Sequence, residues 1–345
     1  TVLAAIEDVR DDNETRLAVQ VIDKTLQHVF FQTIIDRITS VRDDFASKTT
    51  AELLVTWEEA AAAFVAINGT AARDNKVLTA DKQTIETGSN PGLDVQITDA
   101  FARGRTALNK DNADGDQIAI GIERQNIRLS LARAYYIGVL REVEGVISNR
   151  ERDLEEALEK QTEGEVFYRI IESFVARDNP VGNVLIKTQF TGNVANVVAD
   201  EIVSELSKGF IGRVKGELSA NEESVGSDRE KAKIVAEEAV LYSNVFADDL
   251  ELRLGAASRT NLDNALIDLT AASNDGDGTK AATARQTITD ILASYEDELV
   301  LADYNQTTTT SFVDAAVLSF QAIGMLHREN PVDADAIGAE DAGEL

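Results

Sequence analysis

The chain contains no cysteine, which removes disulfides, thiolate metal sites, iron–sulfur clusters and thiol nucleophiles together, while leaving its compartment undecided. Three prolines in 345 residues leave few obligatory helix breaks. There are only two histidines, His28 and His327, in dissimilar contexts, so a Ser/His/Asp triad has no candidate. No run of 18 or more apolar residues occurs, and nothing in the sequence reads as a membrane span. A phosphate-binding loop is also missing: Gly209-Phe210-Ile211-Gly212 lacks the lysine and the preceding strand that such a loop needs. Paired carboxylates are so common that no single pair is informative. The sequence therefore supplies no catalytic residue and requires no cofactor.

Positive charge is the next shortage. There are 33 Lys and Arg against 61 Asp and Glu, a formal net charge of −28, and only about a third of the basic residues are lysine. Nucleic acid and anionic lipid surfaces are excluded as partners, because affinity for either rests largely on cations that neutralise phosphates. An acidic, lysine-poor surface is the composition of proteins from extreme halophiles. In molar salt the Debye length falls to about 3 Å, so carboxylate repulsion that would strain the fold in dilute buffer is screened.

What the chain has in quantity is helical patterning. Apolar residues make up 43% of it, enough for a sizeable core at this length. Residues 14–45 place Leu17, Val21, Ile22, Leu26, Val29, Phe30, Ile34, Ile35, Ile38 and Phe45 close to the i, i+3, i+4 rule, which predicts one long amphipathic helix. Thr49 with Glu52 reads as a capping box opening a second helix, stopped by Asn68-Gly69. A short element over Thr79–Glu86 follows, then helices over Leu93–Leu108 and from the acidic turn at Asp111 to Ile147. Further helices are expected over 166–175, 194–214, 227–254, 258–272, 278–301 and 312–327.

One stretch is echoed. Laid over each other without gaps, Asp114-Gly115-Asp116 meets Asp275-Gly276-Asp277, Arg124-Gln125 meets Arg285-Gln286, Ile127 meets Ile288, and Leu131-Ala132 meets Leu292-Ala293. The reading is an all-α fold of two tandem, internally duplicated antiparallel helical bundles. The first bundle covers residues 1–148 and the second 165–330. A connector at 149–164, charged nearly all round, joins them, and an acidic tail occupies 331–345.

Candidate metal ligands are few. The two acidic turns offer Asp114, Asp116, Asp275 and Asp277 as oxygen ligands for calcium, but neither has an EF-hand's Glu at the twelfth position, and Asp, Asn and Gly are also what a loop and N-cap use. Arg141-Glu142-Val143-Glu144 reads as surface ion pairs. Gly324-x-x-His327-x-Glu329, on a duplicated helical protein, resembles the Gly-x-His-x-x-Glu cluster of imelysin-like proteins, with the spacing displaced by one residue at each step. Those are periplasmic or surface factors linked to iron uptake, so the resemblance implies a metal-binding role for His327 and Glu329. From the residues themselves, His327 is a cation near a helix C-terminus, where it relieves the macrodipole.

A start at Thr1, with no charged and apolar leader, fits a mature form whose signal peptide has been removed, and hence an extracellular or cell-surface location. Val2, Leu3 and Ile6 form an apolar stub suited to docking on a neighbouring copy. The function these features favour is a non-catalytic structural or interaction protein of the surface that forms homo-oligomers or binds another surface protein. The alternative is an imelysin-like metal- or small-ligand-binding protein.

Overall fold

Five helices of this chain start where a side chain supplies an oxygen for the free N–H groups of a first turn. The computed structural model describes residues 15–73, 92–109 and 116–300, together with Ile6 and two three-residue strands. Ten α-helices occupy them: α1 (Thr15–Asp43), α2 (Thr50–Arg73), α3 (Leu93–Leu108), α4 (Gln117–Asn149), α5 (Leu154–Ala176), α6 (Pro180–Thr191), α7 (Ala199–Ser224), α8 (Arg229–Leu254), α9 (Ala256–Asp275) and α10 (Gly278–Glu298). The expected capping box opens α2, with Thr49 N–H donating to Glu52 Oε2 at 2.9 Å and Glu52 N–H to Thr49 Oγ1 at 3.3 Å. Asp153, Asn179, Asp228 and Asp277 each accept a 3.0 Å bond from the third residue onward, at the starts of α5, α6, α8 and α10. Gly255 and Gly276 take positive φ, 84° and 70°, at the α8–α9 and α9–α10 junctions, where a side chain would be strained.

The structure differs locally from the sequence pattern in several places, adding α6 (Pro180–Thr191), where no helix was expected. Asn68-Gly69 does not stop α2, because Thr70 and Ala71 beyond it are buried, and that packing offsets a mid-helix glycine's cost of about 1 kcal/mol. Within the expected short element, Thr84–Glu86 (β2) is a strand paired antiparallel with Lys76–Leu78 (β1), in the register Lys76 to Glu86. The helix expected from Val194 is preceded by a separate 3-10 turn, Val194–Asn196, because the Asn193 side chain accepts from Ala195 N–H.

The core is organised on α4. From Leu129 to Leu140 it buries residues on every side, including Leu131, Tyr135, Tyr136 and Val139, as a helix that is apolar all round must. It packs most heavily on α5 and α3, and also touches α1, α2, α7 and α8. α8 runs parallel to it, in step: Gly121 faces Ile234, Gln125 bonds Glu238, Arg128 bonds Tyr242, and Arg133 bonds Asp248. Aromatic contacts continue outward from α4, from Tyr135 to Phe31 and Phe167, and from Tyr136 through Phe210 to Phe174 and Tyr242.

Among the described residues no division into two cores appears. One apolar cluster runs from Phe31 to Leu299, and the described residues up to Val300 fall in a single compact unit. Residues 154–164 are the first half of α5, and their Ala157, Glu159, Gln161 and Glu163 are buried. The echoed helices have different surroundings. α4 is central, whereas α10 packs on α9, α7 and α8 at one side and buries only five residues. The matched Ile127/Ile288 and Leu131/Leu292 all lie in the core, but Gln125 is buried against Glu238 while Gln286 is exposed and bonds Asp290.

Candidate functional site

The acidic turns resolve into helix starts. Asp277 caps α10, accepting Lys280 N–H, and that bond holds its carboxyl below the usual range. Asp275 is the exposed last residue of α9, and Asp116 immediately precedes α4. Asp114, His327 and Glu329 lie outside the described residues. Among the described residues no group of three or more His, Asp or Glu is placed to hold a metal ion. His28 is partly buried, and burial, with Arg169 nearby, lowers its pKa and favours the neutral ring.

Two buried polar networks were not visible in the sequence. The first fastens α1 to α5 and α4. Arg16 pairs with Glu155, Glu156 and Glu159, and Gln20 donates to Glu159. Deeper in, Lys24 Nζ lies 3.3 Å from Glu163 Oε1, while Lys160 Nζ lies 2.7 Å from Glu163 Oε2 and 3.5 Å from Glu142 Oε2. Glu142, expected on the surface, is 2% exposed. Burial pushes its carboxyl up to about 7, Arg141 and Lys160 opposing and Glu163 reinforcing the rise. A carboxyl buried to this depth costs little only while it is paired or protonated.

The second network ties four helices together. Tyr295 on α10 donates to Asp249 Oδ2 on α8 at 2.5 Å and bonds Ser207 on α7 at 3.1 Å, with Tyr136 on α4 at 3.4 Å from the same serine. Arg253 Nε completes it at 2.7 Å from Asp249 Oδ2. Tyr136 and Tyr295 are both fully enclosed, so their hydroxyls are braces rather than reagents; burial, ahead of Asp249, raises both pKa values. Between α9 and α10 an open groove of about 750 Å³ is lined by small and polar side chains, among them Asn264, Asp268, Ala272, Thr283, Thr287 and Asp290.

The surface feature that stands out is on α1. Its inner face buries Phe31, Ile34, Ile38 and Val41. A second apolar face carries Val19, Ile22, Leu26 and Val29, spaced i, i+3, i+7, i+10, with Val19 47%, Leu26 48% and Val29 54% exposed. That spacing is a heptad seam, as used by a helix that packs lengthwise on another helix. From Leu17 to Ile35 the only charged residues are Asp23 and Lys24, which pair with each other at 2.7 Å. On a chain with a net charge of −28 this face is locally neutral. The sequence pattern read Leu26 and Val29 as part of one apolar face of an amphipathic helix; nine of its apolar positions fall within α1, more than a single face accommodates.

No family model, no curated protein and no solved structure matches this chain.

Proposed function

We propose that this protein is a non-catalytic structural component, working in concentrated salt at or outside the cell surface, that associates with copies of itself through the outer face of α1. The observation that carries the proposal is the neutral heptad seam Val19-Ile22-Leu26-Val29, left open on a helix whose opposite face is already buried. Two copies related by a twofold axis would pair α1 against α1, each residue of the seam meeting its counterpart's seam. Net charge opposes association everywhere else on the surface, and salt screening lowers that opposition most at close range. Glu142, Glu163, Asp249 and Tyr295 support a structural role, since they lie inside helix-to-helix braces. The metal-binding alternative draws on His327 and Glu329, and metal analysis of the purified protein would favour it by showing stoichiometric metal that His327→Ala removes.

Sedimentation velocity in molar KCl tests the proposal. The intact protein is expected to be a dimer or larger, and Leu26→Glu combined with Val29→Glu to be a monomer of unchanged helical content. A wild-type chain that stays monomeric at every concentration reached, including through cover of the seam by its own residues outside 15–300, overturns it.

A further inference from the structure

Between α4 and α8 the structure gathers donors with too few acceptors. Arg124 has no hydrogen bond and no ion pair, and its Nε is sequestered from solvent without an acceptor. Arg133 Nε and Arg213 Nε are also enclosed without acceptors, but those two guanidiniums have other partners: Arg133 pairs with Asp248 and Arg213 bonds Tyr242. One turn along α4, Arg128 Nη1 donates to Tyr242 Oη at 3.3 Å and lies over the Phe174 ring at 4.7 Å. Arg213 Nη2 donates to the same phenol oxygen at 2.9 Å. With two guanidiniums donating to that oxygen, the hydroxyl proton of Tyr242 must turn outward from both.

The carboxylates close to Arg124 are engaged elsewhere. Asp43 is held by Arg42 at 2.6 Å, and Glu238 accepts from Gln125. Burial, then the like charges of Arg42 and Arg128, pull the Arg124 pKa down to about 10, against Glu238 and Asp43. An unpaired guanidinium is unusual on a chain with almost twice as many acidic as basic residues. Arg124 is partly buried, and its enclosed Nε, cut off from water, lacks the acceptor that would offset its desolvation.

We propose that a small oxyanion of the phosphate or sulfate class binds at this seam, held by the Arg124 and Arg128 guanidiniums. The planar, forked donors of arginine match a tetrahedral oxyanion through paired N–H···O bonds, which a halide cannot form. Arg42 adds its positive field. The bound anion would supply an acceptor for the unpartnered Arg124 guanidinium.

The test is thermal unfolding in KCl, with phosphate, sulfate or extra chloride added at constant potassium concentration, alongside 31P line widths of phosphate with the native protein. Saturable stabilisation by phosphate and sulfate, but not by chloride, is expected. Arg124→Gln should weaken the phosphate response about tenfold or more, as befits loss of a charge-assisted donor pair, whereas Arg105→Gln, at an exposed pair with Glu58, should leave it unchanged. Equal effects of all three anions, or the same phosphate response in Arg124→Gln, overturn the proposal. Should Arg124→Gln fail to fold, the line widths decide: no broadening by the native protein also overturns it.

Discussion

Two glycines of this chain carry opposite expectations although both lie inside helices. A Cβ on Gly104 would collide with the Trp57 indole, which is fully buried and pinned by its N–H to Phe101 O at 2.9 Å. Around Gly216 nothing lies within 4 Å of where a Cβ would stand. Gly104→Ala is therefore expected to destabilise by about 1–3 kcal/mol, and Gly216→Ala to stabilise by roughly 0.5–1 kcal/mol; urea titration would read both signs. Glu142 gives a pH dependence. Its folded pKa of about 7 is above the ordinary carboxyl value, so its contribution is complete below that ordinary value and lost as pH rises through 7. Glu163, held low, works in the opposite sense and titrates below that window. Glu142's contribution should thus fall between about pH 5 and 7, against His28, whose lowered pKa makes its own contribution rise with pH below the ordinary imidazole value; Glu142→Gln should remove the falling component of a Tm-against-pH curve, and an unchanged slope would show that the pair is not protonated there. The Thr49–Glu52 box was legible because capping chemistry is local. The burial of Glu142 was not, because a charge run in sequence looks solvated until the fold shows which side of α5 closes over it.

At the scale of elements, α1 behaves as two surfaces on one rod. Ile34, on the inner face, is fully buried, and Ile34→Ala should cost about 2–5 kcal/mol. The Leu26→Glu/Val29→Glu pair on the outer face should shift stability by less than about 1 kcal/mol while abolishing association, since exposed positions away from buried features are close to neutral. Comparable losses of stability from both faces, read by chemical denaturation of the monomer, would mean that the outer face is packed within its own chain. Helix identities were largely readable from apolar periodicity and from caps such as Asp277. The partner of each face was not, because a period of 3.6 residues says that a stripe is apolar and leaves open what covers it. The same limit hid the contact of Arg128 with Tyr242, because nothing in the sequence says that this side of α4 meets α8.

At the scale of the whole molecule, the charge sets the conditions. Raising KCl from about 0.1 M to several molar shortens the reach of carboxylate repulsion from about 10 Å to 3 Å or less, so Tm is expected to climb steadily across that range. A flat profile would leave the composition merely acidic. The all-helical class followed from scarce proline and pervasive periodicity. The apparent duplication shows the limit of that route: two acidic helix starts followed by Ile and Leu at matching spacing satisfy the same local rules at the centre of the molecule in α4 and at its side in α10. The unbroken run of apolar contacts from Phe31 to Leu299 also bears on inheritance. A gene rearrangement that moved either half elsewhere would deliver a half-bundle with its apolar face uncovered. A protease nick in the turn between α5 and α6 would leave two fragments clasped as a complex, neither able to stand alone.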